Sequence, residues 1–473
     1  MTASPRWFEH DAWLIFAALV QIGLAGAVTV HALLTKRDVA SAFAWIGLAW
    51  LSPFAGAAIY LMFGINRVVR RARRLGRRRG GRPGAAAEPS ALGHLEPLCA
   101  AGGRITGRPV LPGNEVEMLA HAAVAYPRML AAIGTAQTSI ALSSYIFRGD
   151  AVGRTFVHAL AAAHRRGVAV RVLVDGMGGG WLRAPAYRRL RRHGVPVARF
   201  LHTWLPWRMP LLNLRSHKKL LLVDGTLGFT GGLNIGVENL RDEAASDAVR
   251  DTHFAVRGPV VGQMMADFAE DWAFTTGEAL AGPVWFPRRL VAGEATARVV
   301  TSGPDAELER IRTVMLSALA TARASVRLAT PYFVPDELLV SALALAALRG
   351  VAVDIVLPGR SDHFLLDWSA RASLRPVLEA GCRVWLGGPP FDHSKLMIVD
   401  GAWSLIGSAN WDMRSLRLNF ELDLEVYDRE LAATLDGHLD IAHARRLTLR
   451  EMERRRLPVA LRDAAARLLM PYL

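Results

Sequence analysis

The residues with the clearest chemical potential are two histidine–lysine pairs. The stretch 214-LRSHKKLLLVDG-225 carries His217 and Lys219, and 391-FDHSKLMIVDG-401 carries His393 and Lys395. Each lysine is followed five residues later by an aspartate, Asp224 and Asp400. Each histidine is followed 17 residues later by an asparagine in a turn of small residues, Asn234 in GGLN and Asn410 in GSAN. One His-x-Lys has no specificity; two copies with matched downstream turns do.

Residues two apart on a strand share a face. His217 and Lys219 therefore point the same way, as do His393 and Lys395. Asp224 and Asp400 stand at odd offsets. That assigns them a fold role, satisfying backbone donors at the following Asp-Gly turn, rather than work on a substrate. Two histidines without carboxylate or cysteine at ligand spacing make a poor metal site, and paired lysines repel a cation. The set suits a phosphodiester. Lysine and asparagine can hold the non-bridging oxygens and the charge that grows on them. One imidazole can attack phosphorus while the other protonates the leaving alkoxide and then deprotonates the incoming alcohol. Each histidine needs an orienting partner on its other nitrogen. Asp251 in 250-RDTH-253 and Glu421 in 419-NFE-421 stand in matched places; the alternative for both is ordinary surface acids.

The motifs sit inside a duplicated arrangement of strands and helices. The pattern 139-SIALSSYIFRGD-150, a helix-like run ending at Gly167 and the strand 168-VAVRVLVDG-176 return as 325-SVRLATPYFVPD-336, a run ending at Gly350 and 351-VAVDIVLPG-359. Gly167 and Gly350 are 183 residues apart, Gly194 and Gly381 187, and His217 and His393 176. A repeat of this length is a duplicated domain. Strands alternating with helices predict an α/β fold of mixed, largely parallel sheets flanked by helices, related by a pseudo-two-fold that brings the motifs to one interface. Tyr145 and Tyr332 occupy equivalent strand ends and fit a pocket or buried packing equally.

Residues 13–34 form an apolar stretch broken only by Gln21 and His31, and residues 40–64 carry no charge. Each is long enough to cross a hydrocarbon core of about 30 Å, so a transmembrane helical hairpin is expected. Nine arginines and no acid lie between Arg67 and Arg82, which places that side in the cytoplasm. The formal net charge of +15 suits an anionic partner, nucleic acid or acidic lipid. Cys99 and Cys382 alone exclude a disulfide framework. The expected organisation is a membrane hairpin over 1–66, a basic flexible linker over 67–97, and two domains over 98–285 and 286–473. Trp204 and Trp207, in a loop before the first motif, suit either a membrane-dipping segment or a plain site loop. The basic, amphipathic C-terminus reads as a packed terminal helix.

The paired motifs, with 213-NLRSHKK-219, the GG-x-N and GS-x-N turns and Asn419-x-Glu421, resemble the phospholipase D superfamily, and within it the bacterial cardiolipin synthases. The resemblance covers nearly the whole chain, including 144-SYIF-147, 329-ATPYFVPD-336 and 357-LPGRSDH-363. It implies two phospholipase D-like domains whose motif residues are His217, Lys219, Asp224, His393, Lys395 and Asp400, with Asn234 and Asn410 on the phosphate. It implies a transfer from one phosphatidylglycerol to another through a phosphatidyl-histidine, with His217 as nucleophile and His393 as general acid and base. Cardiolipin and glycerol would result, with no nucleotide or metal cofactor. Partners implied are phosphatidylglycerol and the inner-membrane bilayer, not nucleic acid. A hydrolase of the same fold, a different acceptor alcohol, or a non-catalytic scaffold are the competing readings. Ser216 and Val249 depart from the Asn and Trp usual in relatives, which touches packing or substrate fit rather than a reacting group.

Overall fold

The first apolar stretch forms a helix, Arg6–Thr35, of which Trp13–Thr35 is long and apolar enough to cross a membrane. The computed structural model describes residues 6–36, 39–64, 92–203, 214–241, 248–288, 290–304, 309–361, 363–439, 441–454 and 457–468. These belong to two compact units, the N-terminal helices and the remainder. The arginine run, most of the 67–97 linker and the Trp204–Trp207 loop lie outside the described residues. The second apolar stretch differs from a single span over 40–64. It is divided into Val39–Leu51, Pro53–Ile59 and a π-turn, Tyr60–Gly64. Pro53 has no N–H to donate and forces the residue before it out of the helical region, and Ser52 sits at φ −145°, ψ 76°. His31, the polar interruption of the first helix, pairs its Nδ1 with the Tyr60 hydroxyl at 2.7 Å.

In the larger unit a 15-stranded sheet is built twice over from one strand order. From the centre outward the first half runs Leu111–Leu119, His253–Arg257, Leu227–Gly231, Leu220–Val223, Ser139–Ser144, Ala169–Asp175 and Val197–Phe200. The second half repeats this from Ala295–Ser302 through Glu421–Tyr427, Trp403–Gly407, Leu396–Val399, Ser325–Ala329, Ala352–Pro358 and Arg383–Gly387. Arg445–Leu447 adds an edge. The halves join where Leu111 and Asn114 pair antiparallel with Ala297 and Ala295, so two domains share one sheet around a pseudo-two-fold.

The sheet is mixed, as expected, but not largely parallel. Parallel pairing is confined to the three outer strands of each seven-strand half. Those strands are linked by helices, which parallel neighbours need; the motif strands return through three-residue turns, 224–226 and 400–402, which permit only antiparallel pairing. The crossover helices themselves follow local signals. Asp150 caps Ala151–Arg165 by accepting from Gly153 N, and Asp336 caps Glu337–Leu348 by accepting from Leu338 N and Leu339 N. Gly167 (φ 90°) and Gly350 (φ 91°) end the two runs in the left-handed region that glycine enters freely.

Each half has its own apolar core, and the motif strands Leu220–Val223 and Leu396–Val399 are buried throughout. A fully buried leucine contributes roughly 1.5–3 kcal/mol. The cores exchange one helix each. Glu96–Thr106 precedes the first strand of the first half, yet Leu95 and Leu98 pack with Ile311 and Val314 of the second. Val261–Thr276 precedes the first strand of the second half and packs on strands of the first. The terminal helix Leu457–Leu468 packs on Phe364–Glu379, with Arg462 stacked 4.2 Å from the Trp368 ring centre.

The motif aspartates have the fold role expected of them, with different donors. Asp224 (φ 52°) accepts from the backbone N–H of Gln137, Thr138 and Ser139 at 3.0, 2.7 and 3.0 Å and from the Thr138 hydroxyl at 2.9 Å. Asp400 (φ 53°) accepts from Arg323, Ala324 and Ser325 N–H at 2.9, 2.7 and 2.8 Å, and pairs with His94 at 2.6 Å. The donors belong to the start of the neighbouring strand, not to the following turn, because antiparallel pairing sets each Asp-Gly turn beside that start. Partial burial raises both carboxyls, but the backbone donors outweigh it and hold them below the ordinary range. Their contribution is therefore complete above about pH 4 and lost as pH falls through the lowered folded values. Asp224→Ala should cost about 1–3 kcal/mol, read as a lower melting temperature, while specific activity at a permissive temperature stays near that of the parent.

Candidate active site

Both motif strands begin outside the sheet, and each start is held by the other half of the chain. Ser216 bridges Phe420 in parallel, with Phe420 N donating to Arg215 O at 2.7 Å and His217 N to Phe420 O at 2.9 Å. In the equivalent place Phe391–Asp392 pairs in parallel with Val249–Arg250, and His393 N donates to Arg250 O at 2.7 Å. Phe420 and Arg250 each precede an acid. The pairing therefore delivers Glu421 to His217 and Asp251 to His393, across the pseudo-two-fold.

His217 Nδ1 lies 3.1 Å from a Glu421 carboxylate oxygen and from Ser408 O. His393 Nδ1 lies 2.6 Å from Asp251 Oδ2. An Nδ1–H held this way leaves Nε2 of each ring with its lone pair for a reacting atom. Glu421 also accepts from the Ser408 hydroxyl (2.5 Å), the Ser415 hydroxyl (2.8 Å) and Asn419 Nδ2 (3.1 Å). Asp251 instead abuts a glycine: a Cβ on Gly232 would stand 2.0 Å from its Oδ1. The two dyads thus share a plan but differ in support. Lys219 Nζ donates to His217 O at 2.6 Å, and Lys395 Nζ donates to His393 O and lies 2.8 Å from His393 Nδ1. Tyr145 packs edge-on against His217 with ring centres 4.9 Å apart; Tyr332 does the same to His393 at 6.2 Å.

These groups open on a cleft of about 1380 Å³ that includes Tyr145, His217, Asn234, Tyr332, His393 and Asn410 in its lining. Burial pulls His217 well below the ordinary imidazole value, and Lys219, Lys395 and His393 add to it. Burial also lowers His393, with Lys395 acting the same way and Asp251 opposing. Glu421 is pushed up to about 7 by burial, against Lys219 and its hydroxyl and amide donors. Lys219 is pulled down to about 7 by burial, against Glu421. Lys219 and Lys395 beside the two imidazoles make a floor that favours an anion.

His217, Lys219, His393, Lys395, Asn234, Asn410, Asp251 and Glu421 all gather at this cleft or directly behind it. Asp224 and Asp400 stay at their turns. Both tyrosines take the pocket alternative, and the surface alternative for Asp251 (1 % exposed) and Glu421 (0 %) does not hold. Asn234 is fixed by accepting from Ile146 N at 3.2 Å. Lys218, between the two motif residues, points to the other face, where it is buried against Asp267 and Asp271 at 2.7 Å each. Sequence reasoning passed over Arg215, Ser408, Ser415 and Arg414. Arg215 carried a signal, standing two residues before His217 on the same face; Ser408 and Ser415 become visible only once the crossed pairing is known.

The contrast between Gly232 and Ser408 is testable. Gly232→Ala should displace Asp251 from His393 and cost about 1–3 kcal/mol of stability by overpacking, together with most of the activity. Ser408→Ala fills no space and should leave the melting temperature closer to the parent.

The family model for cardiolipin synthase, phospholipase D-like domain, matches residues 129–272 and 315–441, one segment in each half. A cardiolipin synthase of Geobacillus thermodenitrificans is 32% identical over 98% of this chain and 96% of its own length. The major cardiolipin synthase of Bacillus subtilis is 34% identical over 76% of each chain. Among solved structures, a phosphatidylserine synthase of Haemophilus influenzae superposes with a TM-score of 0.61 at 16% identity, covering 80% of this chain and all of that one, which shows a shared fold. With a family model on each half and relatives aligned along almost its whole length, the chain belongs to the cardiolipin synthases of the phospholipase D superfamily, a family of phosphatidyltransferases.

Proposed function

We propose that the chain transfers a phosphatidyl group from one phosphatidylglycerol to the terminal hydroxyl of a second, giving cardiolipin and glycerol. The observation that carries this reading is the pair of crossed dyads, His217–Glu421 and His393–Asp251, facing one cleft over two lysines. His217 Nε2 attacks the donor's phosphorus; the bond from phosphorus to the glycerol oxygen breaks, and protonated His393 gives its proton to that oxygen. In the second step His393 takes the proton of the acceptor hydroxyl. The new oxygen–phosphorus bond forms as the bond to His217 breaks. Lys219, Lys395, Asn234 and Asn410 hold the non-bridging oxygens as charge grows on them.

The assignment of His217 as nucleophile draws on its fuller support. Its depressed proton affinity keeps it neutral, as attack requires, and Glu421 is itself fixed by three further donors. His393 is lowered less by burial and Lys395, because the 2.6 Å contact to Asp251 opposes them and favours the protonated form, as an acid requires. The reaction takes place at a membrane. Helix Trp13–Thr35 and the arginines from Arg67 to Arg82 support a chain inserted in the bacterial inner membrane, crossing it twice, with the larger unit in the cytoplasm.

Purified protein in detergent with phosphatidylglycerol as sole lipid should yield cardiolipin and glycerol in equal amounts. Phosphatidate with glycerol would instead identify a hydrolase. A covalent lipid–enzyme adduct should be trapped in the parent and in His393→Ala but not in His217→Ala; the reverse pattern exchanges the two roles. The pH profile gives a second check. A lowered His217 stays neutral until pH falls through its depressed value, so the acid limb of kcat/KM should lie below the ordinary imidazole pKa of about 6.5. Removing the Asp251 charge lowers His393 further, so Asp251→Asn should move the basic limb to lower pH and leave the acid limb in place. Its rate near pH 8 should fall by roughly 10²–10⁴.

A further inference from the structure

The segments that carry the orienting acids continue differently in the two halves. Two residues after Asp251 stands His253; two residues after Glu421 stands Asp423, on the same strand face as Glu421. Each lies opposite the glycine that opens a motif turn, Gly231 against His253 and Gly407 against Asp423. The registers are equal, so the difference lies in the side chain laid across the turn. Asp423 is buried (3 % exposed), and its Oδ1 accepts from Ser408 N at 2.8 Å and Ala409 N at 3.1 Å. The approach leaves no room for a side chain at the turn: a Cβ on Gly407 would stand 2.3 Å from that oxygen.

The turn held in this way is the one that meets His217. The Ser408 hydroxyl donates to Glu421 at 2.5 Å, the Ser408 carbonyl lies 3.1 Å from His217 Nδ1, and the turn ends in Asn410 at the cleft. The first half repeats the backbone part of this arrangement. Gly232 N donates to Thr252 O at 3.0 Å, as Ser408 N does to Leu422 O at 3.2 Å. It does not repeat the carboxylate. His253 is buried (1 % exposed), a Cβ on Gly231 would stand 2.8 Å from its Nδ1, and that nitrogen has no hydrogen-bond partner among the described residues. Burial pulls the His253 ring down to about 4, against Asp251, so it fills the space as a neutral group.

We propose that Asp423 is a positioning residue for His217: by holding the N–H groups of Ser408 and Ala409, it fixes the turn that sets the Ser408 carbonyl and hydroxyl against His217 and Glu421. This rests on the reading of His217 as a reacting group and deepens it by naming what holds its dyad in place. The role needs an acceptor oxygen, not a charge. Burial pushes the Asp423 carboxyl up to about 7, with Glu421 acting the same way and the backbone donors and Lys395 opposing. Ionised or neutral, the carboxyl keeps an oxygen for the two N–H groups. An asparagine offers the same oxygen. An alanine takes that acceptor from the buried Ala409 N–H and releases the turn.

The test reads the two dyads separately in the full-length protein in detergent, with isotope-labelled histidine. The Nδ1–H resonances of His217 and His393 are assigned by their loss in His217→Ala and His393→Ala. Asp423→Ala should remove or move the His217 resonance and leave that of His393 in place, whereas Asp423→Asn should keep both. With phosphatidylglycerol, the covalent lipid–enzyme adduct should form about tenfold or more slowly in Asp423→Ala, and within about threefold of the parent rate in Asp423→Asn. Asp423→Ser, too short to reach both N–H groups, replaces the alanine variant if that one does not fold. Unchanged resonances and adduct rate in the folded alanine or serine variant overturn the role. Equal loss of both dyads overturns it too, as does an asparagine variant no better than the alanine one. If the parent itself forms no adduct, the resonances still decide the role of Asp423, and it is the reading of the reaction that falls.

Discussion

Everything at the cleft depends on two short backbone pairings that cross from one half of the chain to the other. Ser216 against Phe420, and Phe391–Asp392 against Val249–Arg250, fix where the motif strands begin. A histidine placed by its own half alone would have a lone pair to offer but no carboxylate to orient it. Because the residue after each bridge partner is the acid, one hydrogen-bonding register supplies strand position, ring orientation and tautomer together. Neither half contains a complete dyad, so the reacting groups exist as a set only when the pseudo-two-fold is formed.

The scaffold around that constraint is repetitive, and the departures from repetition carry the chemistry. The same strand order, helix caps and terminal glycines recur in both halves, as does the aspartate that ties each motif turn to the next strand. Against that background Glu421 differs from Asp251 by one methylene, and Ser408 from Gly232 by a hydroxymethyl group. The longer acid meets a hydroxyl and the shorter one meets a bare backbone. Similarly, Arg215 stands two residues before His217 where Phe391 stands two residues before His393. A symmetric fold thereby gains two histidines in unlike surroundings.

Much of this was legible in the sequence, for definite reasons. Period-two spacing placed His217 with Lys219 and His393 with Lys395, and it set Asp224 and Asp400 apart from them. Matched offsets identified the duplication and brought Asp251 and Glu421 forward as partners. What could not be read was which acid serves which histidine, since pairing across the pseudo-axis is a property of register between distant segments. The parallel character of the sheet was overestimated because helix-linked strands give a strong signal and short hairpins a weak one. The second apolar stretch read as one continuous helix because hydropathy does not register the missing N–H of Pro53. Ser408 and Ser415 were passed over because a hydroxyl becomes a donor to Glu421 only after folding brings them within reach.

The exchange of helices between the two cores has a bearing on how the protein is made. Leu98 of the early helix Glu96–Thr106, and Leu95 just before it, find their neighbours in a core that also contains Tyr427 and Leu447. At synthesis rates of roughly 5–20 residues per second, that helix emerges tens of seconds before its full surroundings exist. Its apolar face spends that interval without a native partner, and closure of the second core waits on contacts of very long sequence separation, the slow kind.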